Sequence, residues 1–124
     1  MANPSPGFAR NPSKVIVVEA HDGEVVVSAG SDTIARSRNA LRLSEPPYPP
    51  VFYIPFADVD FSRLAKTAHS THCPYKGDAS YWTVLPAGAA GENAMWAYEA
   101  PYDETAAIKD HAAFYADRVT ISAG

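Results

Sequence analysis

The chain has 124 residues, 10 of them lysine or arginine and 14 aspartate or glutamate, for a net charge of −4. That length predicts one domain able to bury a core without disulfides or a structural metal, and a single cysteine excludes an internal disulfide. The acidic balance argues against general binding to a nucleic-acid backbone, because Arg36, Arg38 and Arg42 form the one local basic cluster and read as a solvated face.

Residues 1–13 are rich in Pro, Asn, Ser and Gly and read as a flexible arm, leaving 14–124 as a single domain. The opening "MANPSPGFARNPSK" has no apolar signal region, and no run approaches a membrane span, so the expectation is a soluble cytoplasmic protein that does not meet a membrane. "KVIVVEA" and "EVVVSA" flank "HDG", a pattern that predicts a β-hairpin. "GSD" at 30–32 predicts a second turn, and "TIARS" and "ALRLSE" further short strands, the latter ambiguous with a helical turn. "PPYPP" at 46–50 breaks regular structure, and "VFYIPF" reads as a strand stopped by Pro55. "DVDFSRLAKTA" predicts a short helix or a loop, capped by Asp58 or Asp60. "ASYWTVLP" is a strand and "AGAAGEN" a loop. "AMWAYEAP" alternates, with Met95, Ala97 and Glu99 on one face and Trp96, Tyr98 and Ala100 on the other. "YDETAAIKDH" predicts a short helix capped at Asp103, and "AFYADRVTIS" one closing strand. About eight short antiparallel strands with one or two short helices make a mainly β, single-domain fold.

The stretch "THCPYKGDASYW", residues 71–82, concentrates the candidate chemistry. Cys73 reads either as a small buried side chain beside a turn proline or as a thiol activated by His72 or Lys76. His72 is adjacent, but successive side chains on an extended strand point to opposite faces. "HSTHC" also brings His69, His72 and Cys73 within five residues, yet no second ligand pair exists for structural zinc, so no metal and no cofactor is expected. Lys76 in "PYKG" could offer an ammonium to an anionic group, or be a surface lysine. Tyr53, Tyr75, Tyr81, Trp82, Trp96 and Tyr98 lie on or beside predicted strands, where they form core or line a pocket. Glu45, Asp58 and Asp60 have no spacing that compels acid–base chemistry, and capping or solvation is the plainer reading.

The pieces "LSE", "YIPFADVDFSRL", "THCPYKGDASYW", "AMWAYEAP" and "IKDHAAFYADRV" together resemble the bacterial and fungal domain-of-unknown-function family 427, over about residues 14 to 121. The resemblance covers Glu45, Tyr53, Pro55, Asp58, Cys73, Pro74, Tyr75, Lys76, Gly77, Tyr81, Trp82, Trp96, Tyr98 and Pro101. It implies a fold similar to the β-tent (Mss4-like) group, which includes methionine sulfoxide reductase B and the thalidomide-binding domain of cereblon. Many β-tent proteins hold zinc with two Cys-x-x-Cys pairs, and this chain has none. The family's nucleotidyltransferase-like label finds only Asp58-Val-Asp60 here, with no glycine-rich motif before it.

Three functions compete. A small-molecule binding module would gather Glu45, Tyr53, Cys73, Tyr75, Lys76, Trp82, Trp96 and Tyr98 around an anionic or planar ligand. An enzyme would use Cys73, or nucleotidyltransferase chemistry. An interaction protein would use its exposed strand edges, a homodimer included. The first is the expectation the sequence favours.

Overall fold

The computed structural model describes residues 2–124. Ten strands follow one five-residue helix: α1 (Pro6–Arg10), β1 (Val17–Ala20), β2 (Val25–Ala29), β3 (Asp32–Ser37), β4 (Leu41–Ser44), β5 (Val51–Pro55), β6 (Leu64–Cys73), β7 (Gly77–Val84), β8 (Met95–Tyr98), β9 (His111–Phe114) and β10 (Thr120–Ala123). Short 3-10 turns fill the loops. The fold is mainly β and antiparallel, as expected. A seven-stranded sheet runs β1-β4-β5-β9-β8-β7-β6, and a three-stranded sheet runs β10-β2-β3.

The small sheet covers one face of the large one. Val25, Val27, Ala29, Ile34 and Ala35 from the small sheet meet Ile54, Trp82, Val84, Met95, Ala97, Ala112 and Phe114 from the large sheet in one buried cluster. Each large apolar side chain fully buried there stabilises the fold by about 1.5–3 kcal/mol. Side chains alternate along a strand, so the intervening residues of the large sheet form a second cluster on the opposite face. It contains Leu43, Tyr53, Ala79, Tyr81, Tyr98, Ile108 and Ala113, with Cys73 and Trp96 packed against it. The expected alternation of Met95 and Ala97 against Trp96 and Tyr98 is what separates the two clusters on β8.

Four local expectations change. The "HDG" segment is a crossover between sheets, not a hairpin: β1 pairs with β4, while β2 pairs with β10 and β3. The two valine runs differ in environment, since β2 buries Val25, Val27 and Ala29 and β1 is largely exposed. The region after Asp60 has a single 3-10 turn, Phe61–Arg63, capped by Asp60 through Ser62, and then the ten-residue strand β6. β6 is a mostly exposed edge strand, so no apolar alternation announced it. The turn at Asp103–Ile108 has no side-chain cap; the Asp103 carboxylate accepts from the Asn3 backbone N–H at 2.8 Å. The last predicted strand is two, β9 and β10, split by a turn in which Arg118 and Val119 N–H groups both donate to the Tyr115 carbonyl.

The "GSD" turn forms as expected. Gly30 takes φ of 60° in a two-residue connection between Ala29 and Asp32, the conformation a tight hairpin asks of its first turn residue. Residues expected to be an arm lie against the domain. Ser5 caps α1 and donates from Oγ to the Pro74 carbonyl at 2.7 Å, while Gly7 N–H donates to that same carbonyl at 2.9 Å. Among the described residues no helix is long and apolar enough to cross a membrane.

Candidate functional site

The second face of the large sheet carries a cavity of about 230 Å³. Glu45, Tyr53, Lys76, Trp96 and Tyr98 all line it. β5 and β8 supply Tyr53, Trp96 and Tyr98 through the same alternation that buries their neighbours on the other side. Glu45 follows β4, directly before the cis Pro46–Pro47 peptide, and the Tyr48 N–H closes a turn onto its carbonyl at 2.9 Å.

Lys76 sits in the tight loop joining β6 to β7, where Cys73 and Gly77 pair across the hairpin. Gly77 has φ of 117°, so a side chain there would be strained, and its position is what lets the loop close. The loop is held from both sides. Pro74 accepts the two hydrogen bonds from Ser5 and Gly7, and the Lys76 carbonyl accepts from Tyr102 N–H at 3.0 Å. The ammonium is thereby aimed at the cavity.

At the cavity's charged end, Lys76 Nζ donates to Glu45 Oε1 at 2.8 Å and Lys14 Nζ lies 3.0 Å from Glu45 Oε2. The Lys76, Glu45 and Lys14 side chains are 12, 15 and 18% exposed. Burial is the largest influence on the Glu45 carboxyl and pushes it up, but the bonds from Lys76 and Lys14 together outweigh burial and hold it below its ordinary value. Lys14 is raised, mainly by its bond to Glu45. Two ammoniums around one carboxylate leave one net positive charge. Lys76 also has donor hydrogens beyond the one given to Glu45.

The remaining wall is phenolic. Trp96 Nε1 donates to the Tyr53 hydroxyl at 3.4 Å, and Tyr81 and Thr71 share a hydroxyl hydrogen bond at 2.9 Å. Burial pushes the Tyr53 and Tyr98 hydroxyls well above the ordinary phenol range, so both stay neutral at physiological pH. Tyr115 is raised as well, first by burial and then by Tyr81. Lys76 Nζ lies 6.0 Å from the Tyr98 ring centroid, and Trp96 and Tyr115 stack at 4.6 Å with a 45° tilt. This arrangement can hold a small anionic group at one end and a flat or apolar body against the rings.

Three of the expected residues lie elsewhere. Cys73 is half-buried at the base of the loop and packs against the second cluster without lining the cavity. Tyr75 faces the N-terminal segment, with Phe8 at 5.2 Å edge-on and Lys14 Nζ 5.0 Å from its ring. Trp82 belongs to the core between the sheets, edge-on to Phe56 and Phe61. The partners imagined for the thiol are engaged elsewhere too: His72 Nδ1 pairs with Asp78 at 2.7 Å and Lys76 with Glu45. His69 stacks on Tyr81 at 4.5 Å. Among the described residues no three His, Cys, Asp or Glu side chains gather as a metal-holding group.

Sequence reasoning missed Lys14, Tyr48 and Tyr115 as neighbours of this site. Lys14 directly follows the segment that reads as an arm and Tyr48 sits within the proline breaker, and nothing local marks either as a partner of Glu45. Tyr115 is within reach of such reasoning, because it sits in the aromatic "AFY" of the family-like segment "IKDHAAFYADRV".

The model of the family described as Domain of unknown function (DUF427) matches residues 17–123, nearly the whole chain. No curated protein matches the chain.

Proposed function

We propose that this chain, which belongs to the DUF427 family, is a small-molecule binding module that takes a monoanion with a planar or apolar body. One observation carries the reading. Five residues scattered from Glu45 to Tyr98 line one cavity, and that cavity ends in a carboxylate shared by two lysines. Lys14, bound to the far oxygen of Glu45, leaves the Lys76–Glu45–Lys14 cluster one positive charge in excess, which favours an anion over a cation, because a cationic ligand would have to displace Lys76 or Lys14 from Glu45. Membership of the β-tent group is part of the same proposal and rests on the sequence resemblance.

The enzyme readings draw less support. Asp58 accepts from Ser37 Oγ at 2.6 Å, and Asp60 is held by Ser62 and Arg63, so each aspartate is engaged within its own surroundings. Cys73 has neither His72 nor Lys76 beside it as a hydrogen-bonded activator.

The chain has two tryptophans, and only Trp96 lines the cavity, so a Trp82→Phe variant makes its fluorescence report on the site. Titration with benzoate, phenylacetate and their neutral amides is expected to change Trp96 emission and raise the melting temperature for the acids more than for the amides. Loss of that preference in Lys76→Met is the second expected result. No response to any acid, or equal responses to acids and amides, refutes the reading.

A further inference from the structure

The charged cavity does not end at its aromatic wall. An adjoining groove of about 480 Å³ shares Tyr48, Pro49, Val51, Trp96 and Tyr115 with it. Beyond those five, the groove is lined by Pro50, Phe52, Phe114, Ala116 and Ile121. None of the ten carries a formal charge. The groove runs from the proline-rich loop, past the Trp96–Tyr115 stack, to β10. The charged cavity by itself falls below the roughly 300–1,000 Å³ of ordinary ligand pockets, whereas the groove lies within that range.

We infer that the ligand of this site is an anionic amphiphile: a carboxylate head at Lys76 and an apolar tail laid past Trp96 and Tyr115 into the groove. This rests on the binding reading above and names the ligand class that reading left open. Two features select an amphiphile over a compact anion. The positive end and the apolar groove are contiguous through five shared residues, so one molecule can touch both. The groove itself has no charged side chain to hold a second polar group, and burying one unpaired there is unfavourable. Trp96 and Tyr115 form the waist between the two parts, where the tail turns past their rings.

The test is a chain-length series of linear carboxylates, from butanoate to octanoate, titrated into the Trp82→Phe chain by fluorescence and calorimetry, with octan-1-ol as the neutral control. Affinity is expected to rise by roughly fourfold per methylene, the ratio that ~0.8 kcal/mol per buried CH₂ gives. Octan-1-ol is expected to bind at least tenfold more weakly than octanoate. Ala116→Glu, at an exposed rim position, and Phe52→Ala, at a half-buried one, are expected to flatten the chain-length dependence, weakening octanoate several-fold more than butanoate. Lys76→Met should weaken every member equally.

Affinity independent of chain length, with Lys76→Met still weakening all members, overturns the groove assignment and leaves the charged cavity standing. Failure of every carboxylate overturns both readings. A chain-length dependence untouched by Ala116→Glu and Phe52→Ala puts the tail elsewhere and also overturns the inference. So does a concentration-dependent dimer in sedimentation that Ala116→Glu abolishes, because a second copy would then occupy the groove.

Discussion

Replacing Glu45 by glutamine keeps the side chain's shape and removes its charge. What remains is two ammoniums facing one amide, with Lys76 12% exposed and Lys14 18% exposed. Exposed pairs contribute about 0–1 kcal/mol, and breaking a buried pair by removing one partner costs about 3–5 kcal/mol. The Glu45–Lys76 pair is mostly buried but reaches solvent through the cavity mouth, so Glu45→Gln is expected to cost about 2–3 kcal/mol. Lys76→Met is a different perturbation. Glu45 keeps Lys14 at 3.0 Å, and the methionine keeps the apolar stem. Its expected cost is about 1 kcal/mol. The double variant should be more stable than the two losses added together, because the orphaned Lys76 charge is then gone. Urea unfolding at pH 7 with unchanged slope measures all three. A pH series adds an independent check. Because Glu45 titrates lower in the folded chain than its ordinary 4.5, its contribution is complete above that pH and disappears as pH falls through the lower folded value. The gap between the wild type and Glu45→Gln should therefore close in acid. If Lys76→Met costs as much as Glu45→Gln, or the gap persists unchanged at the lowest pH, Glu45 is not the hub of this network.

The other expectations are smaller in scope. Gly91→Ala is expected to cost more than about 3 kcal/mol, read as a collapse of the melting temperature, since its Cβ would run into the Val84 carbonyl backbone. In Gly7→Ala the new Cβ would meet the Pro74 carbonyl oxygen at 2.7 Å and Tyr75 Cδ1 at 2.8 Å. That should loosen α1 by about 1–3 kcal/mol and speed tryptic cleavage after Arg10, with the core's urea midpoint little changed. Cys73, half-buried and without an activating partner, should react with iodoacetamide at least tenfold more slowly in the native chain than in urea. A native rate above that of a free thiol would return weight to a cysteine enzyme.

The sequence is most legible where one strand has two different faces. The MWAY alternation alone assigns Trp96 and Tyr98 to one side, because a period of two leaves no other option. It misleads where turn chemistry is right but pairing is decided elsewhere. Asp22-Gly23 does turn the chain, yet β2 fills both its edges with β3 and β10, so β1 is left to β4. β6 escapes notice because a mostly exposed edge strand need not alternate. The break between β9 and β10 lacks glycine and proline, and its turn is held by the Tyr115 carbonyl, which no local pattern announces. At the site, Glu45 and Lys76 stand out separately, and their meeting is expected from clustering alone. The third member, Lys14, belongs to a segment tied to the domain through scattered long-range contacts, Asn3 with Asp103, Ser5 and Gly7 with the Pro74 carbonyl, and Phe8 with Tyr75, and no local pattern pairs these residues.

The alternation that separates core from cavity also bears on how this protein can change over generations. Tyr53, Tyr81, Trp96 and Tyr98 interleave with Ile54, Trp82, Met95 and Ala97, one side of each strand holding the fold and the other shaping the cavity. A substitution on the cavity side redraws the ligand site without entering the core between the sheets, at a stability cost set by how deeply that side chain is buried in the second cluster. Insertions or deletions of a single residue inside β5, β7 or β8 have no such freedom. They would exchange the two sets, turning phenols into the core and methionine and isoleucine toward the ligand. A change of length is therefore better tolerated in the loops, and the 46–50 segment beside the charged end is a place where a longer chain could enclose a larger ligand.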